Sequence, residues 1–203
     1  MRTRGEDGVR VTGGAARGRP LHSPKAPGVR PTTDRVRSAL FSILAPHGLE
    51  DSVAADLYAG TGALGIEALS RGAEHVDFVE MDRRQVGVIN ANLRDTGTAG
   101  RATVIAAPVE QAVERLDRRY DFLLMDPPYT KPFPAPVLER IGERGLLSEG
   151  GLLVCGHASR VPAPERCGRL VRVQDRRYGD ASLAFYQREE DARQRDVNEE
   201  VAA

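Results

Sequence analysis

No tryptophan occurs among the 203 residues, and aromatic residues of all kinds make up 5%. So few rings exclude an extended groove that stacks successive bases of a single strand. Cysteine is almost as scarce. Cys155 and Cys167 are too few for a disulfide framework or a cysteine-based metal site. Cys155 lies in an apolar strand-like run and reads as a small buried hydrophobe rather than a reactive thiol. His22, His47, His75 and His157 are scattered without ligand spacing, so no metal is implied. The chain also lacks an apolar export segment and any run long enough to span a bilayer, which points to a cytoplasmic protein with no membrane contact. Net charge is absent too: Lys+Arg and Asp+Glu both number 29, so bulk electrostatics predict no polyanion partner.

The charge is unevenly spread. Through Arg37, the basic residues Arg2, Arg4, Arg10, Arg17, Arg19, Lys25, Arg30, Arg35 and Arg37 outnumber the acids Glu6, Asp7 and Asp34. This basic extension, residues 1–45, begins with a short predicted hairpin, Val9 to Thr12 against Arg17 to Leu21 around Gly13-Gly14. Pro20, Pro24, Pro27 and Pro31 then exclude helix or central strand and leave an extended linker. Thr32 or Thr33 can cap a helix from Asp34 to about Leu44, with Val36, Leu40, Ile43 and Leu44 on one face. Arg35 and Arg37 fall off that stripe and are free to meet a solvent-side partner. Beyond Glu189 an acidic tail, residues 189–203, has a composition that suggests disorder.

Between these ends, residues 46–188 alternate strand and helix patterns. Val53 to Leu57, His75 to Glu80, Ala102 to Ile105, Phe122 to Met125 and Leu152 to Gly156 read as strands. Leu64 to Ser70, Arg83 to Asp95, Val109 to Leu116 and a segment near Pro136 to Gly142 read as helices. The pattern predicts one α/β domain with a parallel sheet and helices on both faces. Leu170 to Gln174 and Ser182 to Gln187 have no helix between them, and the Tyr178-Gly179-Asp180 turn predicts an antiparallel hairpin at the sheet edge.

Gly60-Thr61-Gly62-Ala63-Leu64-Gly65 is a G-x-G-x-x-G between a strand and a helix, the context in which it binds a nucleotide-type cofactor. Glu80 ends the next strand about twenty residues later, where an acid takes a ribose hydroxyl pair. Asp56, just before the loop, would repel a pyrophosphate but can pair with the methionyl ammonium of S-adenosylmethionine. Each feature has a plainer reading: a glycine turn that packs helix on strand, and a strand-end acid that caps the loop.

Asp126-Pro127-Pro128-Tyr129 follows the apolar run Phe122, Leu123, Leu124, Met125 directly. In an open α/β sheet, ligands bind outside the carboxyl ends of strands, which puts Asp126 on one rim with Gly60 and Glu80. Asp126 and the Pro127 carbonyl can accept both N–H bonds of a base amino group and favour the pyramidal nitrogen that develops as a methyl group arrives. Pro127 and Pro128 fix the carbonyl direction, and Tyr129 offers a stacking face. A carboxylate of ordinary pKa cannot deprotonate a neutral aromatic amine first, so the proton leaves during or after transfer. The bland alternative is a stiff strand exit carrying a surface tyrosine.

In these residues the chain resembles S-adenosylmethionine-dependent amino-methyltransferases, and most closely the RsmD family, which methylates the guanine N2 amino group in bacterial 16S ribosomal RNA. The resemblance covers Val9 to Gln187. It rests on Gly28-Val29-Arg30-Pro31-Thr32-Thr33-Asp34-Arg35-Val36-Arg37, on Asp56-Leu57-Tyr58-Ala59-Gly60-Thr61-Gly62 with Glu67 and Arg71, and on Tyr178-Gly179-Asp180. It implies a Rossmann-like class I methyltransferase fold: seven strands, mostly parallel with the last antiparallel, plus the small amino-terminal hairpin and helix. It also implies cofactor contacts from Asp56, Tyr58, Gly60, Thr61, Gly62, Glu80 and Met81. Asp126, Pro127 and Tyr129 would be catalytic, and Pro128, Arg30, Thr32, Arg35 and Arg37 would contact the RNA. The partner implied is 16S rRNA within the small subunit or an assembly intermediate, met by a monomer.

Two departures stand out. Ala107-Pro108 replaces the family's usual adenine-binding acid, leaving that task to backbone groups or Glu110. Cys155-Gly156-His157 stands where an acid is expected, with His157 a bystander. N2 of guanine is paired in a duplex, so the target base must be unpaired or turned out. The competing readings are an amino-methyltransferase on DNA adenine N6 or another RNA base, a nicotinamide dehydrogenase, and a non-catalytic RNA-binding module. The short chain leaves no space for a DNA-recognition region, Asp56 and the tetrapeptide disfavour the dehydrogenase, and intact Asp56, Glu80 and Asp126 argue against a silent module.

Overall fold

Short apolar runs bounded by glycine and polar turns become the strands, and 3.6-residue periods become the helices that cover them. The structure, a computed structural model, describes residues 8–23 and 34–192. The strands are β1 (Val53–Leu57), β2 (His75–Glu80), β3 (Ala102–Ala106), β4 (Tyr120–Met125), β5 (Leu147–Ala158), β6 (Arg166–Cys167), β7 (Leu170–Tyr178) and β8 (Ala181–Arg188). The helices are α1 (Asp34–Leu44), α2 (Ala63–Ser70), α3 (Arg83–Thr96), α4 (Val109–Ala112) and α5 (Ala135–Arg144).

One sheet runs in the order β3-β2-β1-β4-β5-β8-β7-β6. β1 to β5 are parallel to one another, and β8 enters antiparallel against both β5 and β7. Eight strands replace the expected seven, because the pair Arg166–Cys167 adds an edge strand on β7. Two residues are too few to carry an alternating pattern. Strand alternation feeds two cores. Ala54, Phe122 and Leu124 face the layer of α1, α2 and α3, whereas Ala55, Leu57, Leu123 and Met125 face α4 and α5.

The helices are placed by caps and stripes. α3 starts on Asp82, whose side chain accepts from the Arg84 amide at 2.8 Å, a cap worth about 1 kcal/mol. Its buried residues Ile89, Asn92, Leu93 and Thr96 follow the helical period. α4 is shorter than the expected Val109 to Leu116. The Arg144 guanidinium donates to the carbonyls of Val113 (2.6 Å) and Leu116 (3.1 Å), so this stretch is held from outside rather than by a longer helix.

The amino-terminal hairpin is reduced to a single bridge, Arg10 with Pro20, flanked by bonds from Val11 N to Arg19 O and from Leu21 N to Val9 O. Pro20 has no N–H to extend the ladder. Val11, Ala16 and Leu21 are buried in the same core as the helices. Gly14 sits at φ +76° with its Cα pressed on α2; a Cβ there would lie 1.8 Å from the Ser70 carbonyl oxygen. The Ser70 hydroxyl donates to Gly13 O and accepts from Ala16 N.

Arg37 corrects the expectation that it faces solvent. It is fully buried. Its guanidinium donates to Asp34 (2.7 Å), to the Arg10 carbonyl and to Glu67 (3.4 Å). Glu67, also fully buried, accepts from Thr12 N, Thr12 Oγ1 and Arg71 Nε. A charge off the apolar stripe is buried here because the arm, α1 and α2 close over it together. Arg35 remains exposed, and Arg30 and Thr32 lie outside the described residues. The acidic tail begins in fixed residues: Glu189 pairs with Arg166 at 2.6 Å, and Asp191 pairs with Arg188 and accepts from Gly150 N. Residues beyond 192 lie outside the described residues. No helix among the described residues is long and apolar enough to cross a membrane.

Candidate active site at the carboxyl ends of the strands

Register lines up the candidate residues along one rim. Glu80 ends β2 opposite Ala106, Leu57 ends β1 between Val79 and Met125, and Met125 pairs with Cys155. Asp126 therefore emerges beside Gly156.

Asp56 is 1% exposed, and its Oδ2 accepts from the Gly65 amide at 2.8 Å. Burial pushes its carboxyl well above the usual carboxylate range, and the charges of Asp126 and Glu80 push the same way against the Gly65 bond. Three acids thus share one field. The Glu80 carboxylate spans the loop, taking Gly60 N on Oε2 and Asp82 N on Oε1, each at 2.8 Å. Tyr58 holds φ +62°, an uncommon state for a bulky residue, followed by Gly60 and Gly62 with positive φ. The Tyr58 hydroxyl donates to Glu110 at 3.1 Å, so Glu110 stands at the rim next to Ala107-Pro108. Beside Glu80, Met81 is 66% exposed, an unusual position for a large apolar side chain.

Pro127 is buried, and the Pro128 carbonyl accepts from Lys131 N at 3.0 Å, closing a turn. Among the described residues the Pro127 carbonyl takes no backbone hydrogen bond. The Tyr129 hydroxyl donates to Asp126; burial first, then the Asp126 charge, raises its pKa. Gly156 is the close neighbour of both. A Cβ there would lie 2.7 Å from Asp126 Oδ1 and 3.0 Å from Tyr129 Oη. With glycine rather than an acid at this point within β5, room is left for the tetrapeptide.

His157 is buried, its Nδ1 lying 2.8 Å from Val161 O and its Nε2 3.4 Å from Asp175, away from Asp126. Sequence reasoning missed Asn92. This fully buried side chain accepts from His22 N (2.7 Å) and donates to His22 O (3.1 Å) and Thr61 O (2.9 Å), joining the amino-terminal arm to the glycine loop. Its signal was weak: a polar residue on the buried stripe of α3.

A family model described as Conserved hypothetical protein 95 matches residues 9–187. The chain is 33% identical over 185 residues to the Ribosomal RNA small subunit methyltransferase D of Escherichia coli K12, covering 91% of this chain and 92% of that protein. YlbH of Bacillus subtilis, described as a candidate rRNA methyltransferase, is 34% identical over 183 residues, covering 89% of this chain and 99% of that one. The solved structure of E. coli yhhF, a candidate methyltransferase, matches with a TM-score of 0.77 at 32% identity, over 89% of this chain and 98% of that one. Fold and relatives define a class I methyltransferase that depends on S-adenosylmethionine. Within that class, the chain belongs to the Conserved hypothetical protein 95 family, the RsmD family of ribosomal RNA methyltransferases.

Proposed function

We propose that the chain methylates the exocyclic N2 amino group of a guanine in 16S ribosomal RNA, acting as a monomer on the small subunit or an assembly intermediate. The observation that carries this reading is Asp126, held by Tyr129 against Gly156 on the rim that also carries Asp56 and Glu80. Guanine and the small subunit come from the resemblance and from the relatives' names.

The residues present suit the cofactor. Asp56, Asp126 and Glu80 create a negative field with a cost in the protein alone, and a ligand bearing ammonium and sulfonium charges offsets it. Glu80 is set for the ribose hydroxyls, the Gly60-Thr61-Gly62 amides for the methionyl carboxylate, and exposed Met81 for the adenine face. Tyr58 and Glu110 flank the adenine edge that Ala107-Pro108 leaves without an acid. S-adenosylmethionine, when bound, supplies an electrophilic methyl group on sulfur.

The chain's own task is to make a poor nucleophile react. A carboxylate has about four lone-pair sites, so the Tyr129 bond leaves Asp126 able to accept from a base amino group. With the Pro127 carbonyl as second acceptor, both N–H groups are held while the nitrogen lone pair turns toward the methyl group. As the N–C bond forms, the S–CH3 bond would break with its electron pair returning to sulfur, leaving S-adenosylhomocysteine; the nitrogen becomes acidic and its proton passes to Asp126 and then to water. Pro128 and the Tyr129 ring form the wall on which the base rests, and exposed Arg35 is available to the RNA, a role the family resemblance also assigns to Arg30 and Thr32. Arg37 contributes by bracing the arm against α2.

Incubating the chain with labelled S-adenosylmethionine and naked small-subunit RNA, assembled subunits or DNA, then digesting to nucleosides, tests this. The expected product is N2-methylguanosine from RNA or subunits. Label in N6-methyladenine, or none in any RNA, contradicts the reading.

A further inference from the structure

Beyond the base pocket, the sheet edge carries a second feature on the same rim. Ala158 of β5 pairs with Ala181 of β8, and Tyr178 of β7 pairs with Ala181 as well, so the β7–β8 turn and the loop after β5 are neighbours. Ser159 locks them together: its amide donates to Asp180 O at 2.9 Å, and its hydroxyl to Gly179 O at 3.0 Å. Tyr178 packs against the core beneath α1, which anchors the turn.

Along this braced ledge Arg160, Arg176 and Arg177 are all exposed, with Arg176 and Arg177, as consecutive residues of β7, on alternate faces of the sheet. Among the described residues none has a carboxylate partner; Arg177 donates only to Gly179 O at 2.9 Å. Some arginines elsewhere are neutralised, as in Arg140–Glu114, Arg166–Glu189 and Arg188–Asp191, whereas Arg94, Arg115 and Arg119 at the amino ends of the strands are exposed and, like the ledge arginines, without an ion pair among the described residues. Asp180 is the one acid in the turn, and Asp175 below it is engaged by Arg172 and His157. A strand advances about 3.3 Å per residue, so Ser159 lies roughly 10 Å from Gly156 and the Asp126 carboxylate beside it.

We propose that this ledge, Arg160 with Arg176 and Arg177, grips backbone phosphates of the RNA next to the nucleotide whose base enters the Asp126 pocket. The proposal rests on the RNA substrate argued above and adds a place where that RNA is held. Phosphate contacts fix register without reading sequence, and the hydrogen-bonded backbone beneath these arginines needs no ordering of its own when they bind.

The test compares the wild-type chain with Arg160→Gln/Arg176→Gln/Arg177→Gln, with the corresponding triple lysine variant, and with Arg94→Gln/Arg115→Gln/Arg119→Gln at the other rim. Binding to naked small-subunit RNA and to assembled subunits is measured across a salt series, and methyl transfer separately. The glutamine triple at the ledge should bind RNA on the order of 10–100-fold more weakly, with a log–log salt slope shallower by about 2. The lysine triple should recover most of the binding, and the other-rim triple should match wild type. Unchanged affinity and slope would overturn the ledge. So would an equal loss from the other-rim triple, a lysine triple as weak as the glutamine one, or a loss seen only with assembled subunits, which would assign the surface to a ribosomal protein. If wild type binds RNA yet methylates only DNA, the functional reading fails while the ledge is still judged by the binding series.

Discussion

A carboxylate buried as deeply as Asp56 gives up its water, and the Gly65 amide replaces only part of it. Burial raises its pKa in the fold, so this group's stabilising contribution is present below the ordinary carboxylate range and is lost as pH rises through the raised value. Asp56→Asn keeps an acceptor for Gly65 and removes the charge. The ligand-free variant should melt higher than wild type at neutral pH, with the gap closing in acid. Its S-adenosylmethionine affinity should fall by on the order of 10–100-fold, the size of a lost charged hydrogen bond. Thermal scans against pH, paired with calorimetry, check both halves. Gly156 makes a complementary case: its missing Cβ sets the distance to Asp126 and Tyr129. Gly156→Ala should displace the carboxylate and lower kcat about 100-fold while cofactor affinity holds, as steady-state kinetics would read. The rim acids were legible in the sequence because Asp56, Glu80 and Asp126 each stand at or next to the end of an apolar run. The fit of Gly156 was not, because it depends on the register of β4 against β5.

At the scale of elements, periodicity carried most of the fold. α1, β1 and β2 have the bounds their apolar patterns predict. β5 is longer than Leu152 to Gly156 because Ser148 to Gly151 look like a turn, yet Leu147 pairs with Tyr120 before a register shift. Long-range polar contacts were illegible. Arg37 lies off the α1 stripe, and only the fold brings Glu67 and Arg10 to it. Arg37→Ala should cost about 3–5 kcal/mol in denaturant unfolding, because Glu67 then stays buried with fewer partners. The arm offers a milder test. In Gly14→Ala a methyl group would collide with the Ser70 carbonyl and hold an unfavourable φ, so the arm should lift from α2. Faster hydrogen exchange at Val11, Gly18 and Leu21 than in wild type is expected, with sheet amides unchanged.

For the molecule as a whole, the strand order sends the glycine loop, Glu80 and the tetrapeptide to one edge. The other edge carries the turns that close the sheet. Asn92 and Glu67 fasten the amino-terminal arm to the helices flanking the glycine loop, so the arm and that loop share supports. This arrangement follows from the alternation of strands and helices, which the sequence displays. The β7–β8 hairpin is displayed as well, by its Tyr178-Gly179-Asp180 turn, whereas the two-residue eighth strand and the Ser159 brace have no pattern of their own. The central claim is that Asp126 grips the amino group that accepts the methyl. Wild type and Asp126→Ala should therefore be compared for N2-methylguanosine formation in small-subunit RNA, with cofactor binding measured on the same samples. The account predicts a loss of on the order of 1,000-fold in turnover with cofactor affinity within about threefold. A variant that still forms N2-methylguanosine at a near-normal rate would contradict it.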